Sequence, residues 1–271
     1  MGYCTIHLIS DLFLGFNEFS IEEESIPDVD LAVLNGNIGL MKRGMLYATT
    51  LCKKYPKTQF IYNLGQTELY FLGTEKFQGE YKEQVLSRKS LDKDWPPNLH
   101  LTFEDSLQIE LTNNRKVDVF CAYGFPQIHE VSIPWKQTNW AKNYNGRICP
   151  PDDPEGKKYL PRGTSNVSHG HITLPCDINY INDLHHKEWL KVKEWELKDN
   201  SAYKILITHI NPYNDNRLVG QETSPYLIHL DKTALWLSSN TICNDIQFLG
   251  GKLYSNPGRG TAHRNQVIVM N

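Results

Sequence analysis

The stretch Asn63-Leu64-Gly65-Gln66-Thr67-Glu68 ends the apolar run Phe60-Ile61-Tyr62 and gathers two amides, a hydroxyl and a carboxylate around one glycine. A strand that runs into a tight glycine turn and then a helix is where an open α/β sheet presents a ligand site. Other apolar runs end in polar residues in the same manner: Asp11 follows residues 5–9, Asn37 follows residues 30–34, and His209 follows residues 204–207. Asp11 and His209 are residue types that hold metals or move protons. Asn37, Gln66 and Thr67 form hydrogen bonds, but amides are weak ligands for transition metals and a hydroxyl has no useful acidity near neutral pH. The pattern predicts a site with an intact frame and few reactive groups.

The elements that must carry these groups are legible from periodicity. Residues 5–8 alternate and then run apolar into Ser10-Asp11-Leu12-Phe13-Leu14-Gly15, a strand ending in a turn. Residues 30–34 and 59–64 are short apolar runs followed by glycine turns, as buried parallel strands are. Met41, Met45, Ala48 and Cys52 recur at helical spacing, and Pro56 stops that helix. Strand and turn units separated by a helix predict βαβ units with right-handed crossovers. A helix is expected from Glu68 to about Ser87, weakened in its middle by Gly73 and Gly79. Residues 100–103, 107–111 and 117–121 read as a second set of strands, with a turn at Thr112-Asn113-Asn114-Arg115. Residues 183–197 return to helix, with Leu184, Trp189, Val192 and Trp195 on or near one face. Residues 204–207 form a buried strand ending at Thr208-His209-Ile210, and the chain alternates again through Ile246, Phe248 and Leu253 to a last strand at 266–270.

A chain of 271 residues is long enough for one large α/β domain, and a hydrophobic fraction of 40% with six Trp, 14 Tyr and 10 Phe is a globular composition. No apolar run approaches the roughly 20 residues needed to span a bilayer. The start reads as a first strand rather than a signal peptide, and the expected compartment is the cytoplasm. Six cysteines, Cys4, Cys52, Cys121, Cys149, Cys176 and Cys243, show no zinc-like spacing and are expected as buried thiols. A net charge of −3 gives no global attraction to nucleic acid or anionic membrane, and residues 1–41 hold no Lys or Arg.

From about 134 to 176 the pattern breaks into a long irregular insertion, whose first part, residues 134–162, holds five prolines. Trp135, Trp140, Lys142, Arg147, Lys157, Lys158 and Arg162 lie in it, and Trp and Arg are the residues that anchor interfaces. This stretch is the candidate partner surface, with a lid over the cleft as the equal alternative. His169-Gly170-His171 could face one ion, but no third ligand stands nearby in sequence.

In order along the chain, Asp11-Leu12-Phe13, Gly36-Asn37, Gly65-Gln66-Thr67-Glu68, Thr208-His209 and Ser239-Asn240-Thr241-Ile242, followed by Tyr254-Ser255-Asn256-Pro257-Gly258-Arg259-Gly260, resemble the motifs of the calcineurin-like metallophosphoesterases, compact bacterial and phage type. Those motifs are Asp-x-His, Gly-Asp, Gly-Asn-His-Asp/Glu, Thr-His and Gly-His-x-His, then a strand ending in Ser-Asn-Pro-Arg-Gly. The resemblance spans nearly the whole chain and implies a single α/β domain with two stacked mixed β-sheets flanked by helices, an α/β/β/α sandwich. It also implies two metal positions. One falls on Asp11, Phe13, Asn37 and Ile242, the other on Asn37, Gln66, His209 and Asn240. Six of these positions, counting the leaving-group histidine that falls on Thr67, have lost the family's ligand or acid. Two dications a few ångströms apart need anionic bridges and imidazoles, and a neutral Asn37 leaves their repulsion uncompensated. Glu68 matches a structural position of the family, where stabilisation of a helix N-terminus is the expected role.

The leading expectation is therefore a catalytically impaired phosphoesterase-like protein that binds a macromolecular partner, most simply a protein, or a phosphate-bearing ligand. No cofactor is expected, or at most one weakly bound Mn or Zn held by Asp11 and His209. The alternative is an active phosphoesterase with a rearranged or single-metal site. A second alternative is nucleic-acid binding without cleavage through the basic, aromatic insertion.

Overall fold

The computed structural model describes residues 3–12, 14, 25–39, 41–65, 68, 94–111, 114–124, 148–149, 176–199, 202–210, 230–239, 246–248, 250–256 and 267–270. Among them the elements in chain order are β1 (Cys4–Ile9), β2 (Leu31–Asn35), α1 (Met41–Lys54), β3 (Gln59–Asn63), β4 (Leu99–Leu101), β5 (Asp105–Glu110), β6 (Lys116–Ala122), β7 (Ile148–Cys149), β8 (Cys176–Asp177), α2 (Ile178–Leu197), β9 (Tyr203–Ile210), β10 (Thr233–Ser239), β11 (Ile246–Phe248), β12 (Gly251–Asn256) and β13 (Val267–Met270). The strands form a sheet in the order β13-β1-β2-β3-β4 and a second in the order β11-β12-β10-β9-β6-β5. In the first, β1 to β4 are parallel and β13 runs antiparallel on the edge. In the second, β6, β9, β10 and β12 are parallel, and the edge strands β5 and β11 are antiparallel.

Strand periodicity explains the layers. In β2, Leu31 and Val33 join Ile6, Leu8 and Ile61 in a core that meets Val119, Cys121, Ile205, Ile207 and Leu237 of the second sheet. Ala32 and Leu34 point the other way, against Tyr47, Ala48, Leu51 and Cys52 of α1. A period of two along the strand thus feeds two cores at once. The outer face of the second sheet, Phe120, Leu206, Trp236 and Leu253, is covered by Val192 and Trp195 of α2. The result is helix, sheet, sheet, helix, with every parallel strand buried on both faces, which is why those strands read as continuous apolar runs.

Several boundaries differ from the sequence reading. Helix α2 begins at Ile178 rather than Asp183; its first turn, Ile178-Asn179-Tyr180-Ile181, is poor in strong helix formers. Strand β9 continues through Thr208 and His209 to Ile210 instead of ending before them. Those polar residues stay in the strand because each has an inward hydrogen-bond partner: Trp236 Nε1 donates to Thr208 Oγ1 at 2.9 Å, and His209 Nδ1 lies 3.0 Å from the Asn35 carbonyl. The expected irregular stretch 134–176 contains β7 and reaches the start of β8, and the two strands pair in parallel. The rest of it, with the proposed partner-surface residues, lies outside the described residues, as does the expected helix after Glu68. Among the described residues no helix is long and apolar enough to cross a membrane.

Candidate functional site

The carboxyl ends of β1, β2, β3, β6, β9 and β10 meet at one end of the sandwich, and the polar side chains found there tie the two sheets together. Asn35, the last residue of β2, donates from Nδ2 to the Thr208 carbonyl of β9 at 2.7 Å. Asn63, the last residue of β3, donates to Asn35 Oδ1 and to the Ala122 carbonyl of β6, each at 2.9 Å. Both amides are fully buried. A buried amide without partners would cost more than it returns, so this pair specifies how the sheets register at their ends.

Just beyond, the chain leaves β2 through Gly36, with φ +75°. A Cβ there would collide with the His209 ring and come within 2.6 Å of Gly65 Cα, so the turns after β2 and β3 touch backbone to backbone only because both are glycine. Asn37 and Asp11 also hold left-handed backbones, φ 53° and 54°, a conformation that short polar side chains tolerate better than others. The Asp11 N–H donates to the Gly36 carbonyl at 3.1 Å. The Asn37 side-chain N–H donates to Asp11 Oδ1 at 2.8 Å. The opposite amide orientation would set two acceptors against each other, so the donor faces the carboxylate.

Glu68 supplies the scaffold of this corner. Its Oε2 accepts the N–H groups of Asn37 at 2.8 Å and Gly65 at 3.0 Å. Its Oε1 accepts those of Ile38 at 2.8 Å and Gly39 at 3.1 Å, and the Tyr62 hydroxyl at 3.1 Å. With 1% of its surface exposed, this carboxylate clamps the turn after β2 to the turn after β3. That corrects the role expected for it, stabilisation of a helix N-terminus. The second sheet repeats the device: Glu188 of α2 accepts the N–H groups of Tyr123 at 2.8 Å and Gly124 at 2.9 Å, in the turn after β6. Tyr123 in turn accepts the Ile210 N–H and packs its ring 5.7 Å from that of His209.

His209 is fully buried. Its Nδ1 is 3.0 Å from the Asn35 carbonyl and 2.9 Å from Ser239 Oγ. A carbonyl can only accept, so Nδ1 carries the proton, and the serine hydroxyl sends its own to the Asn35 or the His209 carbonyl, at 2.9 and 2.8 Å. In the neutral ring Nε2 is then a bare lone pair, and it has no hydrogen-bond partner among the described residues. A ring nitrogen anchored on a carbonyl while the other is free is the arrangement by which proteins orient a histidine toward a ligand.

Of the residues singled out from sequence, Asp11, Asn37, Glu68 and His209 are therefore brought together around Gly36 and Gly65. Gln66, Thr67 and Asn240 lie outside the described residues, although their neighbours Gly65, Glu68 and Ser239 border the site. Asn35, Asn63 and Glu188 were not anticipated. A signal for Glu188 was present: it falls on the apolar stripe Leu184, Val192, Trp195 at helical spacing, where a carboxylate needs a buried partner.

The donor set does not fit a pair of dications. The position of the bridging carboxylate is an amide whose side-chain N–H faces Asp11, and Phe13 and Ile242 offer no donor at all. Among the described residues no three His, Cys, Asp or Glu side chains gather as metal ligands.

The sandwich of two mixed sheets flanked by helices, with its polar cluster at the strand ends, is the metallophosphoesterase type of fold. Solved structures with this architecture include phosphopantetheinyl hydrolase of Mycobacterium tuberculosis, 12% identical, matched over 97% of this chain and 95% of that one with a TM-score of 0.57. The TT1561 protein of Thermus thermophilus is 14% identical over 100% of this chain and 99% of that one, with a TM-score of 0.53. No family model matches the chain, and no curated protein matches it in sequence.

Proposed function

We propose that this protein is a non-catalytic member of its fold, a binding protein that engages a macromolecular partner through the old cleft and its rim. The hydrogen bond from Asn37 Nδ2 to Asp11 Oδ1 at 2.8 Å carries this reading. Two carboxylates at these positions would repel one another unless cations lay between them; an amide against a carboxylate needs none, so the corner is self-satisfied. The loss of ligand types at Phe13, Asn37, Gln66, Thr67, Asn240 and Ile242 supports the same reading. The basic and aromatic insertion, Trp135, Trp140, Lys142, Arg147, Lys157, Lys158 and Arg162, is the proposed rim, and a protein is the proposed partner.

One observation favours a second reading, a phosphoesterase with a single metal: the anchored His209 ring, with Nε2 bare and Asp11 beyond Gly36. The likeness of the fold to a hydrolase supports it too. Elemental analysis of the purified protein, with hydrolysis of a generic phosphodiester and monoester under added Mn²⁺, separates the two. The expected result is substoichiometric metal and no turnover above buffer. Stoichiometric metal together with turnover abolished by Asp11→Ala overturns the non-catalytic reading.

A further inference from the structure

The hydrogen-bonding polarity of the cleft points to a class of ligand. Phosphate, an acceptor, binds where backbone N–H groups converge at strand ends and helix starts. Here those donors are already taken by the protein's own carboxylates. Glu68 receives the N–H groups of Asn37, Ile38, Gly39 and Gly65, and Glu188 those of Tyr123 and Gly124. The Asp11 N–H goes to Gly36 and the Asn37 side-chain amide to Asp11. An anion arriving at these turns would meet two buried carboxylates where it needs donors.

The remaining chemistry is of the opposite kind. His209 Nε2 is a lone pair on a fully buried ring, unpartnered among the described residues. The Asp11 carboxylate, an acceptor whatever else it touches, stands on the other side of Gly36: its N–H bonds the Gly36 carbonyl, while the His209 ring fills the space where a Gly36 Cβ would go. A buried acceptor gains most from a charged donor, since charge-assisted bonds are about twice as strong as neutral ones.

We propose that the cleft takes an organic cation bearing N–H donors, an ammonium or guanidinium group, and rejects phosphate. The proposal rests on the non-catalytic reading and narrows it, because a fold of this type that cleaved phosphate esters would have to admit phosphate. The same cation could come from a lysine or arginine side chain of a protein partner or from a free polyamine, and the two differ in the test below.

The histidine side-chain NMR signals of the full chain, that of His209 assigned with His209→Gln, are followed in EDTA during titration with methylguanidinium, methylammonium and inorganic phosphate. A saturable shift at His209 with either cation, none with phosphate, and at least a tenfold weaker response in Asp11→Asn support the proposal. Tighter binding of an Arg-containing tripeptide than of spermidine assigns the cation to a protein side chain, and the reverse assigns it to a free amine. The wild-type comparison of cation with phosphate stands without the variant, should that fail to fold. Saturable phosphate binding, no response to either cation, or one Mn²⁺ per chain that neither cation displaces overturns the proposal. If phosphate binds and no ester is hydrolysed, only this proposal falls; if Mn²⁺-dependent turnover appears and Asp11→Ala removes it, the non-catalytic reading falls with it.

Discussion

The clamp at Glu68 allows a stability prediction to be worked from its partners. Replacing it by Gln keeps the shape of the side chain and one carbonyl oxygen. If that oxygen takes the place of Oε1, it retains the bonds from Ile38, Gly39 and Tyr62, and the new NH₂ group faces the N–H groups of Asn37 and Gly65. The other orientation loses three bonds and keeps two, so the first is preferred. Leaving two buried backbone donors without acceptors costs about 1–3 kcal/mol each, which sets the expected loss for Glu68→Gln at about 2–6 kcal/mol. In a chain of this size each kcal/mol moves the melting temperature by about 2–4 °C, so a fall of several degrees to more than ten is expected. Urea unfolding followed by circular dichroism gives the free-energy difference, and hydrogen exchange should show the Asn37 and Gly65 amides losing protection more than those of Ile38 and Gly39. A change in stability below about 0.5 kcal/mol, the range of ordinary surface substitutions, would refute the clamp.

Two further predictions concern buried titrating groups. Burial, and then the Asp30 charge, push the Cys4 thiol up to about 12, and burial likewise pushes Cys52 and Cys121 well above the ordinary thiol range. Since the thiolate is the nucleophile, iodoacetamide at about pH 7.5 should leave these three unmodified in the native protein and label them in urea, read by peptide mass spectrometry; native labelling of Cys121 would contradict the packing. Lys204 lies under the end of α2, where its ammonium donates to the Trp195 and Glu196 carbonyls and sits 4.8 Å from the centre of the Trp195 ring. Burial lowers its pKa from 10.5, with Glu196 and Asp118 opposing. Between the lowered value and 10.5 the unfolded chain binds more protons than the folded one, so this lysine's contribution to stability rises with pH and is complete above 10.5. Comparison of urea midpoints from about pH 8 to about pH 10 should show the wild type gaining on Lys204→Gln; a constant difference would show that the lysine does not titrate in this way.

The layers of the fold were readable because burial imposes a period. Parallel strands buried on both faces must be apolar throughout, and α1 must show its core at helical spacing, so β2, β3 and α1 were found within one or two residues. Asp11, Asn37, Glu68 and His209 were also readable, as polar residues placed where apolar runs stop. The end of β9 was misjudged because Thr208 and His209 look like turn residues until their partners Trp236 and Asn35 are known. Asn35 and Asn63 were overlooked as the bond between the sheets for the same reason: Asn35 meets the Thr208 carbonyl 173 residues further along.

What the sequence by itself determined was the chemistry available at each strand end: an amide at Asn37, an imidazole at His209, and no donor at Phe13 or Ile242. Such chemistry is covalent and local, so it can be read without a fold. Only the tertiary structure decided how these groups are used: that Glu68 takes the amide hydrogens of two turns, that Asn37 gives its own to Asp11, and that His209 keeps one nitrogen bare. Hydrogen-bond partners depend on distance and direction between segments far apart in the chain, and the packing of the two sheets is what sets them.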